Sequence, residues 1–289
     1  MKHPTLLPVW FTPAMVADSA SYSPSAAKPR PVVERWLALG LPIHLETPEP
    51  VDEATLGLAH DPDYVADVLA GRRANGFNNR SIEVARSLPF TTGAMLAAAR
   101  SALQSRRAAC APCSGFHHAR WDSPSGYCTF NGLAVTALAL LRDGAARRVG
   151  ILDCDYHYGD GTDAILERVP QAASIVHFTA GERYHSASQA RALLAALPRE
   201  LRRMADAGCD VVLYQAGADP HVDDPLGGLL TTAQLAERDR LVFVEARRLG
   251  LPVAWNLAGG YQRDADGSIE PVLQIHENTM RACIEAWAE

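Results

Sequence analysis

The sequence lacks any hydrophobic run long enough to span a bilayer. Its longest nearly apolar stretch, residues 132–141, is about half of the roughly 20 residues that a transmembrane helix needs. The first 17 residues resemble a signal peptide only faintly, because Pro8 and Pro13 interrupt their apolar part, so we expect no processing there. These features predict a cytoplasmic protein with no membrane partner.

Excess basic charge and a disulfide framework are also missing. The chain has 27 Lys and Arg against 33 Asp and Glu, a net charge of −6, whereas nucleic-acid-binding domains carry a basic footprint. Its 6 cysteines in 289 residues are too sparse for a disulfide scaffold, which favours a reducing compartment. Cys110 and Cys113 have CxxC spacing, but no second such pair exists. A structural zinc site is therefore disfavoured, and a redox pair stays open.

What remains is an ordinary globular composition, with 48% hydrophobic and 21% charged residues. These values exclude disordered and low-complexity classes, and the chain is long enough to bury a large core. We find no linker, internal repeat or charge block that would divide it. The sequence therefore predicts one domain over residues 1–289.

Short apolar runs alternate with helical segments through the second half of the chain. The runs, rich in β-branched residues, predict buried strands at 149–153, 174–178, 210–216 and 252–257. Helices are predicted at 130–143, 187–207 and 232–249, the last capped by Thr231 or Thr232. In the first half we predict strands at 7–11 and 41–45, helices at 30–39, 63–70 and 92–104, and an exposed loop at 71–80. This alternation is typical of an α/β fold with a parallel sheet.

Polar side chains gather where two of the predicted strands end. Asp153, Asp155 and His157 follow one strand at alternating positions, and the run GADPHVDDPLGG follows another. The carboxyl ends of parallel strands share one edge of a sheet, where ligands bind. A single Asp after a strand more often caps a turn, but such a cluster without a nearby cation would repel itself. One His with carboxylates suits zinc or another divalent metal.

Two further motifs carry groups suited to catalysis. His117 and His118 are adjacent, and imidazoles beside a metal site would suit proton transfer, although a surface or core role is the more common one for such a pair. Tyr261 follows two glycines after the last predicted strand. Its hydroxyl could donate to a developing oxyanion, or its ring could simply fill the core.

Four motifs in this order, GFHHA, DCDYHYGDG, GADPHVDDPLGG and LAGGY, resemble those of the zinc-dependent histone deacetylase superfamily, which includes the acetylpolyamine amidohydrolases. The resemblance covers roughly residues 90–262. It implies the arginase/deacetylase fold, a central parallel sheet of about eight strands between helices. It also implies a zinc-dependent amide hydrolase that removes acetyl or short acyl groups from lysine side chains or similar primary amines.

The resemblance assigns roles to individual residues. The implied zinc ligands are Asp155, His157 and Asp224. The implied catalytic residues are His117 and His118 with their carboxylate partners Asp153 and Asp160, and Tyr261 as the residue that polarises the substrate carbonyl. Gly115 and Tyr127 are the implied substrate-binding residues. A structural potassium ion is implied at Asp153, Asp155, His157 and Ser174, while Asp219 and His221 are interpreted as supporting structure.

Two other functions stay open at this stage. An arginase-like binuclear manganese enzyme would need further bridging carboxylates, and the tandem histidines and Gly-Gly-Tyr261 argue against it. A non-catalytic binding protein would be expected to have lost a ligand or Tyr261. Residues 25–30 lack the family's His-Pro-Glu signature, which leaves the substrate uncertain. Acetyl-lysine peptides are favoured over acetylpolyamines because residues 71–80 contain no acidic side chain; the oligomeric state is not predicted.

Overall fold

The computed structural model describes residues 6–287 and contains a parallel sheet. Its strands in this range are β1 (Leu7–Trp10), β2 (Ile43–Glu46), β3 (Ala108–Ala111), β4 (Val149–Asp153), β5 (Ile175–Thr179), β6 (Val211–Gln215) and β7 (Val253–Asn256). They lie in the order β2-β1-β3-β7-β6-β4-β5, and every neighbouring pair is parallel. The predicted α/β architecture is confirmed, with one strand fewer in the described residues than the eight implied.

Helices cover both faces of this sheet. They are α1 (Pro29–Ala38), α2 (Glu53–Leu56), α3 (Pro62–Leu69), α4 (Ile82–Ser105), α5 (Gly132–Arg142), α6 (Asp160–Leu166), α7 (Ala190–Asp206), α8 (Thr232–Arg248) and α9 (Glu270–Trp287). Within residues 6–287, none of them combines the length and the apolar character needed to cross a bilayer.

The central strands are apolar on both sides because each side faces a helical layer. Val212 and Tyr214 of β6 pack in the core that contains α1, α7, α8 and α9, whereas Val211 and Leu213 pack in the core that contains α3, α4 and α5. Side chains alternate in direction along a strand, so a slip of one residue would exchange the two cores. The register is therefore fixed, and with it the positions of the residues at the strand ends.

Several elements begin or end where the sequence did not predict. β3 was missed because its sequence, AACA, has no β-branched or aromatic residue. Helix α4 starts at Ile82 instead of residue 92 and contains Pro89 in its interior. Helix α9 was not predicted. By contrast, β4 has the predicted bounds, and Thr231 caps α8 as expected.

The cap of α8 gives a test of local stability. The Thr231 hydroxyl accepts a hydrogen bond from Gln234 N, and the Gln234 side chain accepts one from Thr231 N. We predict that Thr231→Ala lowers the free energy of unfolding by about 1 kcal/mol, since the helix loses a capping acceptor. Thr231→Ser keeps the oxygen and is the matched control. Urea denaturation would measure both; an equal loss in the two variants would contradict the assignment.

Candidate metal centre and active site

The carboxyl ends of four strands bring the polar motifs to one edge of the sheet. Asp153 ends β4 and pairs in register with Thr179 of β5 and with Gln215 of β6. Gln215 in turn pairs with Asn256 of β7, which neighbours β3. The loops that leave these strands carry the candidate catalytic and metal-binding side chains.

Asp155, His157 and Asp219 form a compact group at this edge. One potential ligand atom from each lies within 4.8 Å of the others. His157 Nδ1 is 3.2 Å from Asp155 Oδ1 and 3.0 Å from Asp219 Oδ2. Both carboxylates are buried, whereas the imidazole is partly exposed. Two carboxylates and one imidazole are donors suited to a divalent cation with open coordination positions.

The electrostatics of this group favour a bound cation. Burial, together with repulsion from Asp155, raises the pKa of Asp219 to about 7. Burial alone would lower the pKa of His157, but its hydrogen bonds to Asp155 and Asp219 outweigh that effect and raise the pKa to about 11. The two carboxylates thus share a single imidazole, which cannot neutralise both of them when they are ionised. This arrangement is expected of a cation site.

Two glycines allow the backbone to wrap closely around these carboxylates. A Cβ at Gly217 would lie 2.6 Å from Asp219 Oδ1, and one at Gly259 would lie 2.3 Å from Asp219 Oδ2. Gly259 N also donates to Asp155 Oδ2 at 2.9 Å. The β6 and β7 loops therefore clasp the two carboxylates, and any side chain at either glycine would enter their space.

In the structure Asp219, and not the predicted ligand Asp224, lies in the group with Asp155 and His157. Asp224 Oδ1 accepts a hydrogen bond from Leu226 N at 3.0 Å, and its Oδ2 accepts one from Tyr261 N at 2.7 Å. Asp224 lies farther along the β6 loop, beyond a turn at His221, and ties two loops together. The overlooked signal is Gly217, whose missing side chain makes room for Asp219.

The tandem histidines each bind a separate carboxylate, as the sequence predicted. His117 Nδ1 is 2.7 Å from Asp153 Oδ2, and His118 Nδ1 is 2.6 Å from Asp160 Oδ1. Their rings are 4.2 Å apart, and His117 Nε2 is 3.6 Å from Asp155 Oδ1. When such a ring is neutral and its Nδ1–H is donated to the carboxylate, its Nε2 atom is left to act as an acceptor.

The two histidines differ in proton affinity. Burial opposes protonation of His117, but the carboxylates of Asp153 and Asp155 dominate and raise its pKa to about 9. For His118, burial and the positive charge on His117 lower the pKa, and Asp160 only partly compensates. The pair therefore combines a ring that readily holds a proton with a neighbouring ring that tends to be neutral.

Aromatic rings lie beside this centre. The Tyr127 ring is 5.7 Å from that of Tyr261 and 6.0 Å from that of Phe77. Gly115, Tyr127 and Phe77 line a common cavity of about 30 Å³. The structure thus brings Gly115 and Tyr127 together, as the resemblance implied, and places Phe77, from the polar run of residues 71–80, beside Tyr127.

A second set of predicted residues is only partly assembled. Asp153 lies beside Asp155, whose N donates to Asp153 Oδ1 at 3.1 Å. Ser174, however, precedes β5, at the opposite end of the strand from Asp153. Five residues of extended strand span roughly 16 Å, so the prediction that Ser174 shares a potassium site with Asp153 is wrong. Thr179 is the hydroxyl residue at this edge, where its Oγ1 accepts from Gly159 N at 3.0 Å.

The CxxC pair does not resemble a redox centre. Cys110 and Cys113 are both buried with free thiols, and burial raises the pKa of each. A thiol must ionise to attack a disulfide or bind a metal, so this environment favours a structural role for both residues.

Comparisons with known proteins bear on the family and the fold. The sequence model of the histone deacetylase domain matches residues 30–187, just over half of the chain. The chain belongs to the histone deacetylase family. An uncharacterized protein of Picosynechococcus sp. is 32% identical over 77% of this chain and 80% of its own length.

Relatives with named activities match a smaller share of this chain, and the solved structures have a lower sequence identity to it. Acetylpolyamine amidohydrolase 1 of Pseudomonas aeruginosa is 33% identical over 57% of this chain, and the match spans about half of that protein's length (54%). An acetylpolyamine aminohydrolase structure from Burkholderia pseudomallei superimposes with a TM-score of 0.74 over 96% of this chain and 98% of its own, at 18% identity. The HDA15 HD domain gives a TM-score of 0.78 over 97% of this chain and 89% of its own, also at 18% identity. These structures confirm the fold.

Exchanging the candidate third ligand gives a direct test of the centre. We predict that Asp219→Asn lowers the affinity for a divalent metal at least about tenfold, since even supporting residues around metal ligands are worth that much. Asp224→Asn, the matched control, should keep the metal because its side chain serves backbone amides. Metal content after dialysis against graded chelator would show the difference. A metal loss confined to Asp224→Asn would restore the original assignment.

Proposed function

We propose that this protein is a zinc-dependent amide hydrolase that removes acetyl or short acyl groups from lysine side chains or similar primary amines. The observation that carries the proposal is the group of Asp155, His157 and Asp219 beside two histidines that are each paired with a carboxylate. Membership of the histone deacetylase family supports the same chemistry.

Zinc fits the donor set, and we propose that Asp155, His157 and Asp219 hold one ion. When bound, zinc would polarise the amide carbonyl and lower the pKa of a water molecule to about 7. We retain a structural potassium ion as a proposal at Asp153, Asp155 and His157, with Thr179 in place of Ser174.

The histidines provide proton transfer. His118 has its Nδ1 engaged by Asp160, so its Nε2 can accept the proton of the attacking water. Asp160 fixes the ring and stabilises the resulting positive charge, and it also forms an ion pair with Arg120. A histidinium of the pair then protonates the leaving nitrogen as the C–N bond breaks. One water and one amide thus yield a carboxylate and a primary amine.

In this mechanism Tyr261 stabilises the negative charge that develops on the carbonyl oxygen. Burial, reinforced by the carboxylates of Asp219 and Asp155, raises the pKa of its hydroxyl well above the usual value. The hydroxyl therefore stays protonated and remains a hydrogen-bond donor throughout the working pH range. A fixed donor of this kind acts mainly in the transition state.

The surroundings of the centre favour an acetylated lysine side chain. Phe77 and Tyr127 provide an aromatic wall suited to a slim methylene chain. The loop of residues 71–80, which delivers Phe77, contains Arg72, Arg73 and Arg80 and no acidic residue. Arg72 is ion-paired with Asp67, and the loop itself offers no carboxylate to attract the distal ammonium groups of a polyamine.

Acetylpolyamines are the second candidate substrate class. Three relatives with 29–33% identity are named acetylpolyamine amidohydrolases, and the net charge of −6 suits a cationic substrate. A binuclear ureohydrolase has less support. Within residues 6–287, the three potential ligands whose atoms lie within 4.8 Å of one another form a single group, which suits one ion.

The tyrosine gives the sharpest test of the mechanism. We predict that Tyr261→Phe folds and retains zinc but loses about a hundred- to a thousand-fold in kcat, with a smaller change in KM. His118→Ala should also keep zinc and lose rate. Steady-state kinetics with a matched zinc assay would measure these effects. An unchanged kcat in Tyr261→Phe would remove this residue from the mechanism.

Substrate class is tested by direct competition between candidates. We predict that kcat/KM is higher for an acetyl-lysine peptide than for acetylputrescine, and that a hydroxamate inhibits both reactions by occupying the open metal positions. A longer acyl-lysine would report the depth of the site. Preference for acetylputrescine would select the second candidate class. If none of the three reacts and a hydroxamate fails to bind the zinc-loaded protein, the deacylase proposal is wrong.

A further inference from the structure

Lys28 is a fully buried lysine outside the catalytic set. It precedes α1 and has no solvent exposure. Its Nζ donates to the backbone carbonyls of Ala258 and Gly259, the latter at 3.1 Å. Lysine is almost never fully buried unless it is paired, so this arrangement requires an explanation.

The two carbonyls belong to the segment that carries Tyr261. On its amide side, this segment is held by carboxylates, since Gly259 N donates to Asp155 Oδ2 and Tyr261 N donates to Asp224 Oδ2. On its carbonyl side, Gly259 O also accepts from Ala218 N at 2.9 Å. Lys28 therefore completes a set of restraints that grips residues 258–261 from both sides.

The backbone of this segment needs such restraints. Ala258 has a φ of +52°, in the left-handed region that a residue with a Cβ seldom adopts. Conformations of this kind are unfavourable and persist only where the surroundings determine them. The turn at Ala258 sets the direction in which the chain leaves β7 toward Tyr261.

The charge of Lys28 suits its place. Burial lowers the pKa of its ammonium to about 8, and the carboxylates of Asp219, Asp155 and Asp224 counter that effect. The group is therefore charged at neutral pH and donates fully to both carbonyls. A charged donor makes stronger hydrogen bonds than a neutral one. Its loss would remove the Lys28 bond from the carbonyl of Ala258 and leave Gly259 O with its bond from Ala218 N.

We infer that Lys28 is a positioning residue for the reaction, which holds the Ala258–Gly259 backbone so that the Tyr261 hydroxyl points at the reacting carbonyl. The inference rests on the proposed function, because it assigns Lys28 an effect that runs through Tyr261. It differs from a purely structural role in one measurable respect: the effect of Lys28 on the rate should depend on the presence of that hydroxyl.

A double-mutant cycle tests this dependence. The variants are Lys28→Met, Tyr261→Phe and the two combined, with Arg30→Met as the control that removes an exposed cation from the same helix. We expect Lys28→Met to lower kcat by about a hundredfold, as for a misplaced catalytic group, with little change in KM or zinc content. In the Tyr261→Phe background the same change should lower kcat less than about twofold. Lys28→Arg, which retains charge and donors, should recover part of the rate, and Arg30→Met should behave as the wild type.

The outcomes separate this inference from the proposal on which it rests. If Tyr261→Phe loses rate but the effects of the two substitutions multiply, Lys28 does not act through the hydroxyl and the inference is overturned. A folded Lys28→Met protein with unchanged kcat, or one that loses its zinc, overturns it as well. If Tyr261→Phe itself keeps full activity, the proposed mechanism fails and this inference fails with it. Should Lys28→Met not fold, Lys28→Gln, which keeps an uncharged donor, takes its place in the same cycle.

Discussion

Two carboxylates buried side by side are the constraint on which the rest of the site depends. Asp155 and Asp219 share His157 between them, and each is almost without solvent exposure. Like charges in such a place are unstable unless a cation or hydrogen-bond donors compensate them. The surrounding chain supplies such donors in detail: Gly259 N binds Asp155, and Tyr156 N lies 3.3 Å from Asp219 Oδ1.

Two buried cations lie behind the strand ends: Arg238, which is ion-paired with Asp239, and Lys28. Arg238 is fully buried and donates through Nη1 to the carbonyls of Cys154 and Gly217, at 3.2 and 2.6 Å. It thereby braces the backbone next to Asp155 on one side and next to Asp219 on the other. Lys28 braces the β7 loop in a similar way. The acidic side chains face the open site, while the cations grip the loops through backbone oxygens.

The sequence predicted which motifs meet at this edge of the sheet better than it predicted which aspartate joins the group. Asp155 and His157 were singled out by their alternating positions after a strand, whereas the two histidine–carboxylate pairs were implied only by the resemblance to the deacetylase superfamily. Asp219 was taken as supporting structure, since the loop after β6 contains three aspartates whose order alone does not reveal which one turns inward. Lys28 was missed altogether, because only the tertiary fold brings residue 28 against residues 258 and 259.

Errors in the fold have similar physical origins. The second-half strands were found because they are buried on both faces and rich in β-branched residues, whereas β3 consists of small residues that fit any buried element. Helix α4 tolerates Pro89 because tertiary packing outweighs local preference. Ser174 was assigned to the potassium site, but it lies at the start of β5, whereas the site lies at the carboxyl end of that strand.

The chain builds its chemistry and its aromatic wall from different kinds of structure. The candidate metal ligands follow strand ends whose register is fixed by two cores, but Phe77 lies on the loop of residues 71–80. That loop is anchored on the segment that carries Tyr127, where Gly76 N donates to Thr129 Oγ1 at 2.9 Å. A Cβ at Gly76 would lie 2.6 Å from the backbone of Cys128, so a larger residue there would displace the loop and Phe77 with it. The strand ends would stay where the two cores hold them.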